Sequence, residues 1–330
     1  MLALVTGGTG ALGPAVVSRL CEAGFAVRVL SRGLSVAGLP ADVEIHHGDV
    51  GDTGAVEAAV RDVGVVLHLA ARLHVESPRP ELVPDYERTN VDGTAAVVAA
   101  ARRSGVRRVV LFSTIVVYGA GNGRVLTEET PPRPTSLYGR TKLAAEQVLL
   151  EAKREDGEPL GTVLRLASVY GARMKGNYRR LVEALARRRF IPIGDGTNRR
   201  TVVHVEDTAV AAVLAACHPR AAGRIYNVSD GRIHTIREIV TAVCEALGRK
   251  PPRLSLPLKP VLSAVSAVEV GLGLIGRGSL IGRMTIEKYL EDVAADGRLI
   301  QADLGFVPRY DLTTGWMETV LEMRRSGAIP

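Results

Sequence analysis

The feature that most constrains the fold is a regular alternation of short apolar runs with amphipathic stretches over the first 170 residues. Uninterrupted apolar runs are typical of strands that are buried on both faces, and the stretches between them have the period of helices. This alternation predicts an α/β protein with a doubly wound parallel sheet. The predicted strands are 2–6, 26–31, 43–46, 65–70, 108–113 and 162–166, and the predicted helices are 15–23, 53–63, 92–104 and 136–153.

A glycine-rich loop, Thr6-Gly-Gly-Thr-Gly-Ala-Leu-Gly, directly follows the first predicted strand. Its glycines let the backbone turn tightly and approach a pyrophosphate, which the N-terminus of the next helix attracts through its amides. Glycines alone indicate little, but this position between a strand and a helix favours a dinucleotide site over a plain turn. The residues predicted to form this Rossmann-type site are Gly7, Gly10, Ala11, Leu12 and Gly13.

The residues that end the second and third strands bear on the choice of dinucleotide. An acidic residue after the second strand would bind the adenosine ribose of NAD, but this chain has Ser31 and Arg32. An arginine neutralises the 2′-phosphate of NADP, so we predict NAD or NADP with a preference for NADP. A solvated loop residue is the alternative for Arg32. Asp49 and Val50 are placed to contact the adenine ring, and a turn is the alternative for Asp49.

The second half of the chain is less regular, with frequent Gly, Pro and Arg. Two of its apolar runs, 202–205 and 225–228, predict strands that rejoin the sheet. We therefore predict a dinucleotide-binding domain over 1–170 and a smaller, mainly substrate-binding α/β domain over 171–330. Ligands of doubly wound sheets bind at the carboxyl ends of the strands, so the cleft between the two parts is the expected site.

Tyr138 and Lys142 place a phenol and an ammonium group four residues apart on one helix face. A phenol has a pKa of about 10 and is a poor base at neutral pH. A lysine cation one turn away favours the phenolate, so we expect a lowered pKa and acid–base catalysis. The spacing alone is common by chance, but Thr114, at the end of a predicted strand, adds a hydroxyl for the reacting oxygen.

Together these residues resemble the extended short-chain dehydrogenase/reductases, the NAD-dependent epimerase/dehydratase family. The resemblance extends almost end to end, through 66–71, 90–94, 165–171, 204–207 and 304–306. It implies that Tyr138 exchanges a proton with the substrate hydroxyl, that Lys142 also holds the nicotinamide ribose, and that Thr114 orients the substrate oxygen. It also implies that the cofactor cleft is lined by Leu69, Ala70 and Ala71.

The same resemblance bears on the substrate. Asn177 and Arg200 match positions that contact the diphosphate of a nucleotide sugar. Arg200 suits this role because its planar guanidinium bonds phosphate oxygens in pairs. A turn and a surface charge are the alternatives for the two residues taken singly. The implied activity is epimerisation at C4 of a nucleotide-activated sugar, similar to that of UDP-glucose 4-epimerases.

Two other functions stay open. Ahead of 304–306 the chain has Arg283 and 286–289 in place of the Arg-x-x-Asp pair that UDP-hexose 4-epimerases carry. In this region the chain is more similar to 4-keto-sugar reductases and to hydroxysteroid-dehydrogenase-like members, so an NADPH-dependent reductase of a 4-keto nucleotide sugar or of another ketone stays open beside the epimerase. A non-catalytic dinucleotide sensor is disfavoured, because such a protein needs the glycine loop but not Thr114, Tyr138 and Lys142.

Composition excludes several classes. Three cysteines in 330 residues lack paired spacing, so we predict neither a disulfide framework nor a metal site. The net charge is +7, but the Lys and Arg residues are scattered among nearly as many Asp and Glu residues. We therefore predict no nucleic-acid partner.

Two further polar residues are given structural roles. His68 is expected to be hydrogen-bonded in the core or at the cofactor edge, and Asp207 is expected to cap a helix over 208–216.

The last expectations concern location and assembly. The apolar stretch 260–276 is shorter than the roughly 20 residues that span a bilayer, so we predict a cytoplasmic protein without an integral membrane segment, and peripheral membrane contact stays an alternative. We predict a homodimer, because family members commonly pair through the helices that correspond to 92–104 and 136–153. The small residues expected on the paired faces are Ala95, Ala96, Ala99, Ala100, Ala144 and Ala145.

Overall fold

The computed structural model describes residues 1–33, 37–73, 80–263, 265 and 289–330. Most of the stretch 260–276 lies outside these residues, as do Arg283 and 286–288. The strands are β1 (Leu2–Thr6), β2 (Ala26–Ser31), β3 (Glu44–His47), β4 (Val65–His68), β5 (Arg108–Thr114), β6 (Val125–Leu126), β7 (Gly161–Leu166), β8 (Ser168–Tyr170), β9 (Arg199–Arg200), β10 (Val202–His204), β11 (Ile225–Val228), β12 (His234–Thr235) and β13 (Ala294–Ala295). The described helices are α1 (Gly13–Glu22), α2 (Thr53–Val60), α3 (Val83–Tyr86), α4 (Gly93–Arg103), α5 (Leu137–Leu150), α6 (Asn177–Ala186), α7 (Val205–Cys217), α8 (Ile236–Ala246), α9 (Arg298–Leu304) and α10 (Leu312–Arg325).

A seven-stranded parallel sheet runs in the order β3-β2-β1-β4-β5-β7-β11. The order reverses between β1 and β4, which is where a doubly wound sheet opens a crevice for ligands. Separate clusters of buried aliphatic side chains cover the two faces of the sheet. The predicted fold class is therefore confirmed.

The predicted elements agree with the structure except near their ends. Strands β1 and β2 have the predicted bounds. Helix α2 ends at Val60, three residues early, just before Asp62 adopts a positive φ of 62°. Helix α4 follows a π-helical turn over Glu87–Asp92, which the apolar pattern did not predict.

Only one of the two strands expected to rejoin the sheet does so. Strand β11 forms the edge next to β7, whereas β10 pairs with β8 in a separate two-stranded sheet. The expectation for 202–205 is therefore wrong. The reason is a change of partner at the end of β7: the amide of Ala167 still donates to Val228, but the next amide, of Ser168, donates to Thr201.

A third apolar cluster lies in the second half of the chain. Trp316 of α10 is fully buried there and stacks on Tyr170, with 4.4 Å between ring centroids. The domain boundary after residue 170 stays our proposal. None of the helices among the described residues combines the length and the apolar character that crossing a membrane requires.

Candidate active site

The glycine loop packs directly against the residues that follow β4, beside the point where the strand order reverses. Gly7 has a φ of 73°, and a Cβ there would lie 2.8 Å from the amide nitrogen of Ala70. At Gly13 a Cβ would overlap the carbonyl oxygen of Gly8. The Gly10 amide closes the turn by donating to Gly7, at 2.9 Å. Only glycine fits such close approaches, and the cradle that results suits a pyrophosphate.

The second predicted cofactor contact lies at the ends of β2 and β3. The Ser31 hydroxyl lies 3.0 Å from that of Thr9, and Arg32 lies 3.5 Å from Asp49 across the groove. The Arg32 side chain is 70% exposed. Asp49 also accepts the Gly51 amide at 2.8 Å, so it closes a turn, and Val50 is buried in the core beneath.

A cavity of about 490 Å³ brings the loop and the predicted catalytic residues together. Ala11 and Leu12 line one part of it, and Thr114 and Tyr138 line another. Thr114 ends β5, where its hydroxyl accepts the Val116 amide at 3.3 Å. Tyr138 enters from the first turn of α5. The structure thus places three separate predicted motifs around one cavity.

The pKa of Tyr138 departs from our expectation. Burial raises it to about 12, and the neighbouring Tyr86 adds to the rise. The expected lowering is therefore wrong, because desolvation of the phenolate outweighs any help from Lys142. Lys142 is itself only 1% exposed, and burial lowers its pKa to about 8 against the opposing charge of Glu146.

A group of buried polar residues that sequence reasoning missed lies near Lys142, whose pKa responds to one of them, Glu146. This charged cluster consists of Ser113, Glu146, Arg165, Tyr118 and Asn227. Arg165 binds Glu146 through Nε, at 3.1 Å to each carboxylate oxygen, and through Nη2 at 2.6 Å. The Ser113 hydroxyl donates to the same carboxylate. The guanidinium lies 4.7 Å above the Tyr118 ring, whose hydroxyl donates to Asn227 at 2.8 Å.

One signal for this cluster was present in the sequence. Glu146 follows Lys142 by four residues, so it lies one turn further along the same face of α5. A carboxylate on the buried face of a helix needs a cation or several donors, which predicts a partner without naming it.

A second buried series of hydrogen bonds joins β1 to α5. This neutral chain consists of Thr6, His68, Thr94, Asn90 and Thr141. The bonds measure 2.7 Å from Thr6 to His68 Nδ1, 3.0 Å from His68 Nε2 to Thr94, and 2.7 Å from Thr94 to the Asn90 carbonyl. The Asn90 amide then donates to Thr141 at 3.0 Å, and Thr141 donates to the Tyr138 carbonyl at 3.1 Å.

The donors fix the state of His68. Thr94 has one hydroxyl proton and donates it to Asn90, so it accepts from His68 Nε2–H, and His68 Nδ1 accepts from Thr6. Burial, with the charge of Lys142, lowers the pKa of His68 to about 3. The side chain is thus a neutral core histidine, one of the two roles that we expected.

The two predicted diphosphate contacts lie away from the cavity lining. Asn177 is exposed at the first position of α6. Arg200 is half-buried on β9 and donates to the carbonyl oxygens of Glu291 and, at 3.4 Å, of Tyr289. Lys175, two residues before Asn177, does line the cavity.

Asp207 does not cap a helix, which corrects our expectation. Helix α7 begins at Val205 and is capped by His204, so Asp207 lies inside its first turn. There its buried carboxylate accepts the amides of Arg309 at 2.9 Å and Tyr310 at 3.1 Å. Among the described residues, no group of three or more His, Cys, Asp or Glu side chains is arranged to hold a metal.

Comparison with known proteins bears on the family of the chain. The model of the NAD dependent epimerase/dehydratase family matches residues 3–229. A UDP-glucose 4-epimerase of Azospirillum brasilense is 30% identical over 98% of this chain and 92% of its own length. A solved structure of MoeE5 with UDP-glucose and NAD has a TM-score of 0.77 and 30% identity, and covers 99% of both chains. The Thermus thermophilus UDP-glucose 4-epimerase with NAD has a TM-score of 0.75 and 28% identity over 98% of this chain and 99% of its own. From its glycine loop through helix α5 and on to β11, the chain belongs to the NAD dependent epimerase/dehydratase family.

Proposed function

We propose that the protein is an NAD(P)-dependent 4-epimerase of a nucleotide-activated sugar. The observation that carries the proposal is the shared cavity, in which Thr114 and Tyr138 face the end of the glycine loop at Ala11 and Leu12. The similarity to UDP-glucose 4-epimerases over nearly the whole chain supports the substrate class.

In this proposal Tyr138 moves the proton at the C4 oxygen of the sugar, and Thr114 donates a hydrogen bond to the same oxygen. With a pKa of about 12, Tyr138 holds its proton at neutral pH, which suits delivery to the oxygen. Removal of the substrate proton needs a stabilised phenolate, and the Lys142 ammonium lies one turn further along α5. A dinucleotide held in this groove would supply the hydride acceptor and donor.

The residues present fit a dinucleotide. The backbone approaches at Gly7 and Gly13 leave no room for a Cβ, and no side chain caps the N-terminus of α1 at Leu12. We assign Gly10 to the same groove, together with Leu69 to Ala71 beside Gly7. Lys142 would hold the nicotinamide ribose.

Arg32 favours a second candidate, an NADPH-dependent reductase of a 4-keto nucleotide sugar or another ketone. Its exposed guanidinium is 3.5 Å from Asp49, which leaves donors for a 2′-phosphate. An epimerase regenerates its cofactor in each cycle, whereas a reductase exchanges it. Mass spectrometry of the dinucleotide that co-purifies separates the two functions.

The experiment that tests the chemistry is Tyr138→Phe. We expect turnover of UDP-glucose to UDP-galactose to fall by roughly 10²–10⁴-fold, because a general acid–base is lost. Dinucleotide affinity should stay unchanged. Tyr310→Phe, outside the cavity lining, is the matched control. Near-normal turnover in Tyr138→Phe would remove this residue from the mechanism.

Arg200→Ala tests the substrate class. A diphosphate held by Arg200 makes charge-assisted bonds, so UDP affinity measured by calorimetry should fall by one to several decades, or about 2–5 kcal/mol. Arg199→Ala, next to it and paired with Asp292 at 2.6 Å, is the control. If UDP fails to bind the unaltered protein, the ketone reductase becomes the better assignment.

We further propose a cytoplasmic homodimer that pairs through α4 and α5. Ala95, Ala96, Ala99 and Ala144 are partly exposed on these helices and available to a second copy. Ala100 and Ala145 are not, because both are buried within their own chain.

A further inference from the structure

Two segments that follow helix ends lie side by side on the surface of the second half of the chain. Segment 186–194 begins at the last residue of α6, and segment 247–259 follows α8. Arg249 donates through Nη1 to the carbonyl of Leu185 at 2.7 Å. The Leu256 amide donates to Pro192 at 2.8 Å, and the Gly194 amide donates to Leu256 at 2.9 Å. These bonds hold the two segments together as one surface.

This surface is strongly basic. The two segments contain no Asp or Glu. They contain seven cationic side chains, called here the basic rim: Arg187, Arg188, Arg189, Arg249, Lys250, Arg253 and Lys259. Six of the seven are exposed and Arg249 is partly exposed. Within the described part of the chain, none of the seven forms an ion pair with a carboxylate, whereas many arginines elsewhere do.

Among the described residues, the acids nearest in sequence form no ion pair with the rim. The Asp195 carboxylate accepts the amide and hydroxyl of Thr197, at 3.0 and 2.8 Å. Glu183 pairs with Arg179 at 2.8 Å. Glu245 is an exposed residue in the last turn of α8. The surface therefore carries an excess of positive charge.

Exposed aliphatic side chains lie among these cations. Leu254 is 83% exposed, Ile191 is 59% exposed and Leu256 is 43% exposed. Between the segments is a cavity of about 460 Å³, lined by Phe190 and Pro252 together with cations of the rim. Exposed leucine and isoleucine are unfavourable in water and contribute nothing to an interaction with phosphates alone.

The combination of cations with exposed aliphatic groups is characteristic of protein surfaces that bind at a lipid interface. Cations next to an anionic membrane each raise binding roughly fivefold, and apolar side chains add to this by entering the acyl boundary. Nucleic acids match the charge but offer no apolar layer for Leu254 and Ile191, and single strands are held by stacked aromatic residues. An anionic bilayer therefore fits the surface better.

We propose that this surface docks the protein on anionic phospholipid bilayers. The basic rim contacts headgroup phosphates, and Leu254 and Ile191 enter the interface. The proposal does not depend on the catalytic function, since none of these residues lines the cavity of Thr114 and Tyr138.

Sedimentation with vesicles tests it, using phosphatidylcholine alone and an equal mixture of phosphatidylcholine and phosphatidylglycerol. The protein should sediment with the mixed vesicles only. Arg187→Glu with Arg189→Glu should weaken this binding by at least about tenfold. Arg61→Glu with Arg220→Glu, at two exposed arginines outside both segments, makes the same change in net charge and should leave binding nearly unchanged.

Leu254→Ser separates a bilayer from other anionic partners, because it alters no charge. It should weaken vesicle binding several-fold and leave the melting temperature unchanged, as expected for an exposed side chain. Absence of vesicle binding overturns the proposal, and so does equal loss in both arginine pairs. Binding to duplex DNA that Leu254→Ser leaves intact, without vesicle binding, would assign the surface to nucleic acid instead.

Discussion

The neutral chain and the charged cluster both hold helix α5 against the central sheet, but they do so with different chemistry. The neutral chain reaches α5 at Thr141 through hydroxyl, imidazole and amide groups without a net charge. The charged cluster reaches it at Glu146 through a buried ion pair with Arg165. Neutral groups fix position and orientation only, whereas a buried charge also acts at a distance. The pKa of Lys142 responds to Glu146 for this reason.

The largest expected effect concerns the ion pair. Glu146→Leu or Arg165→Met leaves one buried charge without its partner, so each should lower the free energy of unfolding by about 3–5 kcal/mol. The double variant should lose less than the sum of the two, by at least about 2 kcal/mol. Urea unfolding measures all three.

The matched double-mutant cycle on the neutral chain is Thr6→Val with Thr94→Val. Each change should lower the free energy of unfolding by about 1–3 kcal/mol, because it leaves a buried donor or acceptor unpaired. If the losses of stability were additive for Glu146 and Arg165 but strongly coupled for Thr6 and Thr94, the neutral chain and not the charged cluster would be the more tightly coupled network.

The next effect is the response of the neutral chain to acid. The pKa of His68 is about 3 in the folded protein and 6.5 ordinarily, so between these values the unfolded chain binds a proton that the folded protein does not. Stability therefore falls as pH decreases below 6.5, by about 1.4 kcal/mol per pH unit from this group.

His68→Gln should remove that slope, while His47→Gln, at an exposed histidine, should keep it. Urea unfolding between pH 7 and pH 4.5 measures the slopes. Identical slopes in all three proteins would mean that His68 accepts a proton in the folded state, and that the chain is not neutral.

The smallest effect is on the pH dependence of catalysis. Lys142 has a pKa of about 8, so turnover should decline as the pH rises through 8 and the ammonium is lost. Glu146→Gln removes the charge that raises this pKa, and the decline should move to lower pH. Thr141→Val alters only the neutral chain and should not move it. A shift in Thr141→Val as large as that in Glu146→Gln would show that helix position, not charge, governs Lys142.

Sequence motifs of a few neighbouring residues predicted those parts of the candidate site that lie within a single loop, strand or helix. The glycine loop, the strands around it and the Tyr138–Lys142 spacing are each encoded within a few neighbouring residues. The ion pair was not predicted, because Glu146 and Arg165 lie on a helix and a strand 19 residues apart. The pKa of Tyr138 was given the wrong direction because burial, which the sequence does not measure, outweighs the neighbouring charge.

The position of β10 was wrong for a related reason. Its apolar residues suit any buried strand, and its partner was decided by the amide of Ser168, which turns to Thr201. Periodicity identifies strands, but the point where a strand leaves its sheet depends on distant backbone groups.

The contacts of Asp207 have a consequence for how the chain is made. Its two partner amides, in Arg309 and Tyr310, lie 102 and 103 residues later in the sequence. At roughly 5–20 residues per second, a ribosome adds them about 5–20 s after the carboxylate. During that interval the nascent chain cannot complete the surroundings of α7, so this buried carboxylate gains its two donors only after nearly the whole protein has been synthesised. A chain that stops before Arg309 leaves its own buried carboxylate without both donors.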